Sequence, residues 1–275
     1  MTANMNPNKA LWEKGDFTRL AQGMRESGEA LIDQLGITKA MRVLDLGCGD
    51  GTTAIPAAKL GAIVTGVDIA SNLVAAGNAR AKNLNLTNIT FQEGDACDLS
   101  DIKSGYFDQV VSIFGAMFAP RPVDVAKEMV RVTKYGGKIT MGNWIPGDPT
   151  LVAQILKISS AYTPAPPAGF ISPMLWGVEA EVEKRFEAAG IPSRRISFSR
   201  EKYVFNFPIS PKELVNTFKS YYGPTMNAFE AASKDGKAEQ LQRELEDLFE
   251  SQNISATPGT SLIPATFLRV TAIKM

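Results

Sequence analysis

Short apolar runs alternate with amphipathic stretches through the first half of the chain. Five of these runs have the length of buried strands, and they lie at residues 41–46, 62–67, 89–92, 107–113 and 138–144. Between the runs, apolar residues recur at helical spacing, as Val125, Met129 and Val132 do in a helix expected over 123–133. Strands that alternate with helices in this way predict a doubly wound, mostly parallel sheet.

The remaining elements come from the same patterns. Helices are predicted over 10–35, from Thr52 or Thr53 onward, and up to Leu84 from an N-cap at Ser71. The alternation changes after Pro146, where helical spacing marks 151–160, 179–189, 211–222 and 237–251 around a Pro-rich stretch at 162–173. One or two strands are expected at 196–207 and a last strand at 266–273. The sequence therefore predicts an α/β fold with a mostly parallel sheet, N-terminal helices and a C-terminal helical cap insertion.

Composition limits the kinds of partner. The chain has 275 residues, of which 44% are hydrophobic, and its 29 basic and 29 acidic residues give no basic excess for nucleic acid. The polar N-terminus over 1–9 has no signal-peptide core, and no apolar run reaches the length of a membrane span. Two cysteines fit a reducing cytoplasm. The absence of histidine removes the commonest metal ligand and general base, and no metal is expected.

The run VLDLGCGDGT at 43–52 predicts a buried strand that turns through glycines into a helix. Glycines let a ligand approach the backbone closely, and such a turn at the edge of a parallel sheet is typical of nucleotide sites. Asp45 and Asp50 would repel the pyrophosphate of a dinucleotide. The sequence therefore favours a cofactor that carries positive charge, as the ammonium and sulfonium of S-adenosylmethionine do.

Three more strand ends carry suitable chemistry. Asp68 follows the second strand, 23 positions after Asp45, close to the spacing at which an acid holds ribose hydroxyls. Asp95 follows the third strand, where a carboxylate can accept from an adenine amino group. The backbone carbonyls of Phe114-Gly115-Ala116, after the fourth strand, can hold a ligand ammonium.

These segments resemble the class I S-adenosylmethionine-dependent methyltransferases, and most closely their ubiquinone-biosynthesis-like group of small-molecule enzymes. The matching segments are VLDLGCGDGTTA, GVDIA, FQEGDA, FDQVVSIFGAMFAP and RVTKYGGKITMGNW, with LWEKGDFTRLA and PMLWG similar to one bacterial branch. The resemblance implies the Rossmann-like methyltransferase fold with a doubly wound, mostly parallel seven-stranded sheet. It divides the chain into an N-terminal helical lid (1–40), a cofactor-binding core (41–145) and substrate-side cap helices with the last strands (146–275). It is thin beyond residue 190.

Carried over position by position, the resemblance implies a set of cofactor contacts. At the methionine end these are Asp45, Gly47, Cys48, Gly49 and Gly51. Around the ribose, the adenine and the methionine carboxylate and amine they are Asp68, Ile69, Asp95, Ala96 and Phe114, with Trp12 and Phe17 closing over the cofactor. Among the aromatic residues, Phe118, Trp144, Trp176 and Tyr222 are candidates for a pocket that takes a small, largely apolar or aromatic substrate.

Other interpretations stay open at this point. Gly49 to Ala54 also fits the loose Gly-x-Gly-x-x-Ala pattern of nicotinamide sites, although the glycines begin too early. A lyase or cyclase of the same fold, or a non-catalytic binding module, would bind the cofactor without methyl transfer. Asp16 and Tyr222 are both candidates for a general base. The acceptor atom and the oligomeric state are not determined by the sequence.

Overall fold

A computed structural model describes residues 8–275. Most of the polar stretch 1–9, for which the sequence predicts no signal peptide, lies outside the described residues. The strands are β1 (Arg42–Leu46), β2 (Ile63–Asp68), β3 (Ile89–Glu93), β4 (Phe107–Ile113), β5 (Thr133–Trp144), β6 (Ile196–Phe207) and β7 (Ser261–Ile273). The helices are α1 (Lys9–Glu13), α2 (Thr18–Ala21), α3 (Arg25–Asp33), α4 (Ala54–Lys59), α5 (Ser71–Asn83), α6 (Pro122–Val132), α7 (Leu151–Tyr162), α8 (Glu179–Ala188), α9 (Pro211–Tyr221), α10 (Gly223–Lys234) and α11 (Ala238–Gln252).

All seven strands form one sheet in the order β3-β2-β1-β4-β5-β7-β6. Strands β1 to β5 are parallel, whereas β7 runs antiparallel to both of its neighbours, β5 and β6. The predicted fold class is therefore confirmed. The strand order reverses between β1 and β4, and ligands of such sheets bind at the carboxyl ends of strands around this switch point.

The segment 10–35 is not one continuous helix as predicted, because the structure divides it into α1, α2 and α3. The chain leaves α1 and passes through Gly15, where a Cβ atom would lie 2.3 Å from the carbonyl oxygen of Tyr221. Only glycine fits there; α1 ends at Glu13, α2 begins at Thr18, and a 3-10 turn over Gln22–Met24 separates α2 from α3. The N-terminal segment can therefore fold over the carboxyl edge of the sheet.

Other boundaries also differ from the predictions. The Ser71 position begins α5, and Ala70 occupies the N-cap. Strand β5 begins at Thr133 and not at residue 138 as predicted; it includes Gly136, which has a positive φ of 75° and whose N–H donates to the Lys274 carbonyl. Helix α10 was not predicted, since its buried positions are mostly small residues such as Ala228 and Ala232, which give a weak apolar pattern. Among the described residues, no helix is long and apolar enough to cross a membrane.

Candidate functional site

A pocket of about 940 Å³, including its opening to solvent, lies at the carboxyl edge of the sheet. Ten of the residues predicted from the sequence line it: Trp12, Phe17, Gly47, Cys48, Gly49, Asp68, Ile69, Ala96, Phe114 and Phe118. The structure thus brings the ends of β1, β2 and β4 together with the N-terminal segment around one space.

Six other predicted residues do not line this pocket. Gly51 packs on the ring of Phe91, and the Asp95 carboxylate accepts a hydrogen bond from the Cys97 N–H at 2.8 Å. The remaining four are buried behind the pocket wall or elsewhere in the fold, and they are Asp45, Trp144, Trp176 and Tyr222. Tyr222 packs against the pocket-lining rings of Trp12 and Phe17, whereas Trp176 lies beside Phe186.

The glycine turn after β1 is pressed against the turn after β4. Gly47 has a φ of 71°, and a Cβ atom on it would lie 2.6 Å from the Cα of Gly115. The Ser112 hydroxyl joins the two turns, since it donates to the Leu46 carbonyl at 2.6 Å and accepts from the Ala116 N–H at 2.9 Å. These contacts give the carboxyl ends of β1 and β4 a defined relative position.

Asp68 organises the second wall of the pocket. One carboxylate oxygen accepts from the N–H of Gly49 at 2.8 Å, and the other accepts from the N–H of Ala70 at 2.9 Å. Burial raises the pKa of Asp68, while the backbone donors oppose that shift. The carboxylate therefore ties the glycine turn to the end of β2, directly beside the ligand space.

Asp45 is buried under the glycine turn. Its Oδ2 atom accepts from the Thr53 hydroxyl at 2.5 Å, and its Oδ1 atom has no hydrogen-bond partner among the described residues. Burial raises the pKa of Asp45 to about 7, although the Thr53 hydroxyl and the Ala54 amide favour the ionised form. A buried acceptor without a donor, next to the pocket-lining Thr53, suits a cationic ligand group.

The pKa of Asp45 predicts a pH dependence of stability without ligand. The folded-state pKa is above the ordinary value of 3.8, so this group stabilises the fold below about pH 4 and loses its contribution as the pH rises through 7. Compared with Asp45→Asn, the wild type should lose about 2–3 kcal/mol of unfolding free energy between pH 5 and pH 8. Urea denaturation of both proteins at the two pH values measures this. A constant difference would contradict the assigned pKa.

Asp50 does not act as the sequence suggested. Its side chain is 1% exposed and forms ion pairs with Arg25 at 3.0 Å and Arg80 at 3.1 Å. Two arginines thus compensate its charge, so repulsion of a pyrophosphate by Asp50 is not an argument against a nicotinamide site. The preference for S-adenosylmethionine over a nicotinamide dinucleotide depends instead on Asp45 and on the position of the glycines, which begin too early for the nicotinamide pattern.

The N-terminal segment closes the pocket from above. Lys9 Nζ donates to the carbonyl of Ile69 at 2.9 Å and pairs with Glu93, while Glu13 accepts from the backbone and hydroxyl of Ser71. Its partners Lys9 and Ser71 lower the pKa of Glu13 to about 2. Between these polar contacts, the Trp12 ring meets Phe118 edge-on at 5.0 Å.

Tyr203 is a pocket residue that sequence reasoning missed. It projects from β6, lines the pocket at 2% exposure, and donates its hydroxyl to the Met24 carbonyl at 3.0 Å. Burial raises the pKa of Tyr203. Nothing around it in the sequence departs from an ordinary alternating strand, so its place at the pocket depends on the tertiary fold.

The residues present fit S-adenosylmethionine. Gly49, at a φ of 54°, has no atom within 4 Å of the position where a Cβ would stand, so the pocket comes up to the backbone there. Asp45 and Asp68 supply buried carboxylates, and Ile69 supplies an apolar wall. The sheet order and this glycine turn define the class of adenosyl-cofactor enzymes with a Rossmann-like methyltransferase fold.

Comparison with known proteins agrees with this class. The family model described as "Methyltransferase domain" matches residues 44–141. The uncharacterized protein Rv1403c of Mycobacterium tuberculosis is 33% identical over 248 residues, which cover 86% of this chain and 87% of that protein. The chain belongs to the class I S-adenosylmethionine-dependent methyltransferases.

Other relatives match in part or in fold. Demethylmenaquinone methyltransferase of Beutenbergia cavernae is 35% identical over 115 residues, 42% of this chain and 45% of that protein. The solved phosphoethanolamine N-methyltransferase 2 of Haemonchus contortus has a TM-score of 0.61 at 17% identity, covering 98% of this chain and 60% of that one. The [4+2]-cyclase SpnF has a TM-score of 0.54 at 18% identity, covering 90% and 81%. These two structures share the fold.

Proposed function

We propose that this protein transfers a methyl group from S-adenosylmethionine to a small, largely apolar or aromatic molecule, as in the ubiquinone-biosynthesis-like group. The observation that carries this proposal is the distribution of charge around the pocket. Among the described lining residues, the only acidic or basic side chains are those of Asp50, in the glycine turn, and Asp68, at the end of β2. The other lining residues include the apolar and aromatic side chains of Met24, Ile113 and Phe118.

The cofactor contacts follow from the same geometry. The backbone around Gly47 and Phe114 would hold the methionine end, with the charge of Asp45 acting from behind the glycine turn, and Asp68 would hold the ribose. Ile69 and Ala96 would border the adenine. The bound cofactor supplies an electrophilic methyl on a positively charged sulfur. The protein's contribution is placement, for which a well-ordered site can supply roughly 7–11 kcal/mol of barrier reduction.

Neither Asp16 nor Tyr222, the two candidates for a general base, is placed to remove a proton from a substrate in the pocket. Asp16 does not line the pocket, and its carboxylate accepts from Thr18 and pairs with Arg19. Burial raises the pKa of Tyr222 well above neutral, as it does for Tyr203. This favours an acceptor that is nucleophilic without help from the enzyme, such as an acidic phenol or enol, and an apolar pocket speeds the neutralisation of such an anion by a sulfonium.

The Beutenbergia relative supports the same substrate class, since its name implies an apolar ring compound as acceptor. The unsuitable placement of Asp16 and Tyr222 also fits the second candidate, an enzyme that binds the cofactor without transferring its methyl group. Methyl-labelled S-adenosylmethionine incubated with a metabolite extract separates the two. The proposal expects a labelled small molecule and stoichiometric S-adenosylhomocysteine, whereas cofactor binding with neither product would favour the alternative.

The lid predicts an effect of Trp12 on cofactor retention. Its ring contacts Phe17, Phe118 and Tyr222 at centroid distances of 5.0–6.1 Å, so Trp12→Ala removes the contacts that close the pocket. We expect S-adenosylhomocysteine to dissociate about tenfold faster, while Trp12→Phe stays within about threefold of wild type. Displacement kinetics with labelled ligand measure both. Equal dissociation rates for alanine and wild type would contradict closure by this ring.

A further inference from the structure

Phe114 has a backbone conformation that its side chain disfavours. It lies at the carboxyl end of β4 with a φ of 59°, in the left-handed region. Among the described residues, Ala40 and Asn85 are the other non-glycine positions there, and neither carries a ring. A bulky residue keeps such a conformation only where its surroundings compensate for the strain, and such positions cluster at functional sites.

The compensation comes from a cluster of buried aromatic rings. The Trp144 ring, on the neighbouring strand β5, stacks on Phe114 with centroids 3.7 Å apart and an interplanar angle of 9°. Tyr203 and Phe267 meet Phe114 edge-on at 5.0 and 5.3 Å. The Phe114 N–H donates to the Gly142 carbonyl at 2.9 Å. The ring of Phe114 is therefore in contact with three buried aromatic rings.

The strained residue controls the glycine turn through its neighbour. A Cβ atom on Gly115 would lie 2.3 Å from the carbonyl oxygen of Gly47, so the two backbones are in direct contact. If Phe114 relaxed to a negative φ, the peptide that joins it to Gly115 would rotate. Gly47 and the pocket-lining turn behind it would then have to move.

We infer that Trp144 is a positioning residue for the cofactor, which acts by holding Phe114 at positive φ and not by contacting the substrate. Trp144 is 3% exposed and does not line the pocket, whereas Phe114 does. The inference rests on the proposed function, because the ligand whose site is held in shape is S-adenosylmethionine. It assigns to Trp144 a role different from the substrate contact considered from the sequence.

The test is a double-mutant cycle with S-adenosylhomocysteine as the probe, measured by calorimetry on the full chain. Trp144→Leu should weaken binding about tenfold, since the strain at Phe114 is no longer offset. Trp144→Phe keeps an aromatic face and should stay within about threefold. Phe114→Gly accepts positive φ without strain, so in that background Trp144→Leu should cost less than about twofold.

A control separates positioning from general destabilisation. Phe186→Leu removes an equally buried ring that packs on Trp176, away from the pocket, and should lower the melting temperature without changing affinity. If Trp144→Leu fails to fold, Trp144→Met replaces it with the same expectations. An equal loss on Trp144→Leu in both Phe114 backgrounds would overturn the inference. Absence of binding by the wild type would instead refute the proposed function.

Discussion

Replacement of Asp68 by alanine is expected to lower the affinity for S-adenosylhomocysteine by at least about a hundredfold. The carboxylate accepts the N–H groups of Gly49 and Ala70, and on the proposed function it also accepts the ribose hydroxyls. Hydrogen bonds to a charged group contribute roughly 1.5–3 kcal/mol each, so loss of the two bonds from the ribose hydroxyls accounts for the lower affinity. Asp68→Asn keeps one acceptor oxygen and should lose less. Titration calorimetry with the two variants measures the difference.

Asp98, which is exposed, provides a control for the removal of a carboxylate outside the pocket. It lies close in sequence to Asp95 at the same edge of the sheet, accepts from the Ser100 N–H at 3.0 Å, and does not line the pocket. Asp98→Ala should therefore leave the affinity within about twofold of wild type. Binding by Asp68→Ala within threefold of wild type would show that the carboxylate is not part of the cofactor site.

Gly49→Ala is expected to weaken binding by roughly thirtyfold or more while the protein still folds. At a φ of 54° the alanine costs about 1–2 kcal/mol of backbone strain, and its methyl group enters the open space of the pocket. Because no protein atom lies within 4 Å of that methyl position, the steric conflict is with the ligand and not with the fold. Calorimetry and thermal unfolding of the same sample separate the two effects.

Gly36→Ala tests whether strain alone explains such a loss. Gly36 has a φ of 71°, also with nothing within 4 Å of a Cβ, and it does not line the pocket. The two variants should therefore lose similar stability, and only Gly49→Ala should lose affinity. Equal affinities in both would mean that the ligand does not approach the backbone at Gly49.

Many residues of this site could be predicted from the sequence because they lie at the ends of strands. A buried apolar run followed by glycine or an acid marks the carboxyl end of a strand, and parallel strands place all such ends at one edge. Gly47, Asp68 and Phe114 were found in this way, and all three line the pocket. The strand order could be anticipated only through the family resemblance.

The residues that escaped prediction depend on contacts between distant segments. Tyr203 lies on β6, at the end of the sheet, and it lines the pocket beside Phe114, whose ring it meets edge-on, while the Met24 carbonyl accepts its hydroxyl. The neutralisation of Asp50 by Arg25 and Arg80 likewise joins residues 25 and 30 positions away. The pattern of apolar and polar residues within one segment does not predict contacts between segments that are distant in the sequence. The stacking of Trp144 on Phe114 follows from the register of β5 against β4, which a strand prediction does not define.

Titration of the purified chain with S-adenosylmethionine and with S-adenosylhomocysteine tests the central claim most directly. The claim is that the acidic and glycine-rich carboxyl edge of this sheet, closed by the N-terminal segment, is a site for the adenosyl cofactor. It predicts saturable heat at one ligand per chain for both compounds, and none with a reduced nicotinamide dinucleotide. Saturation by the dinucleotide, or the absence of heat with both adenosyl compounds, would contradict it.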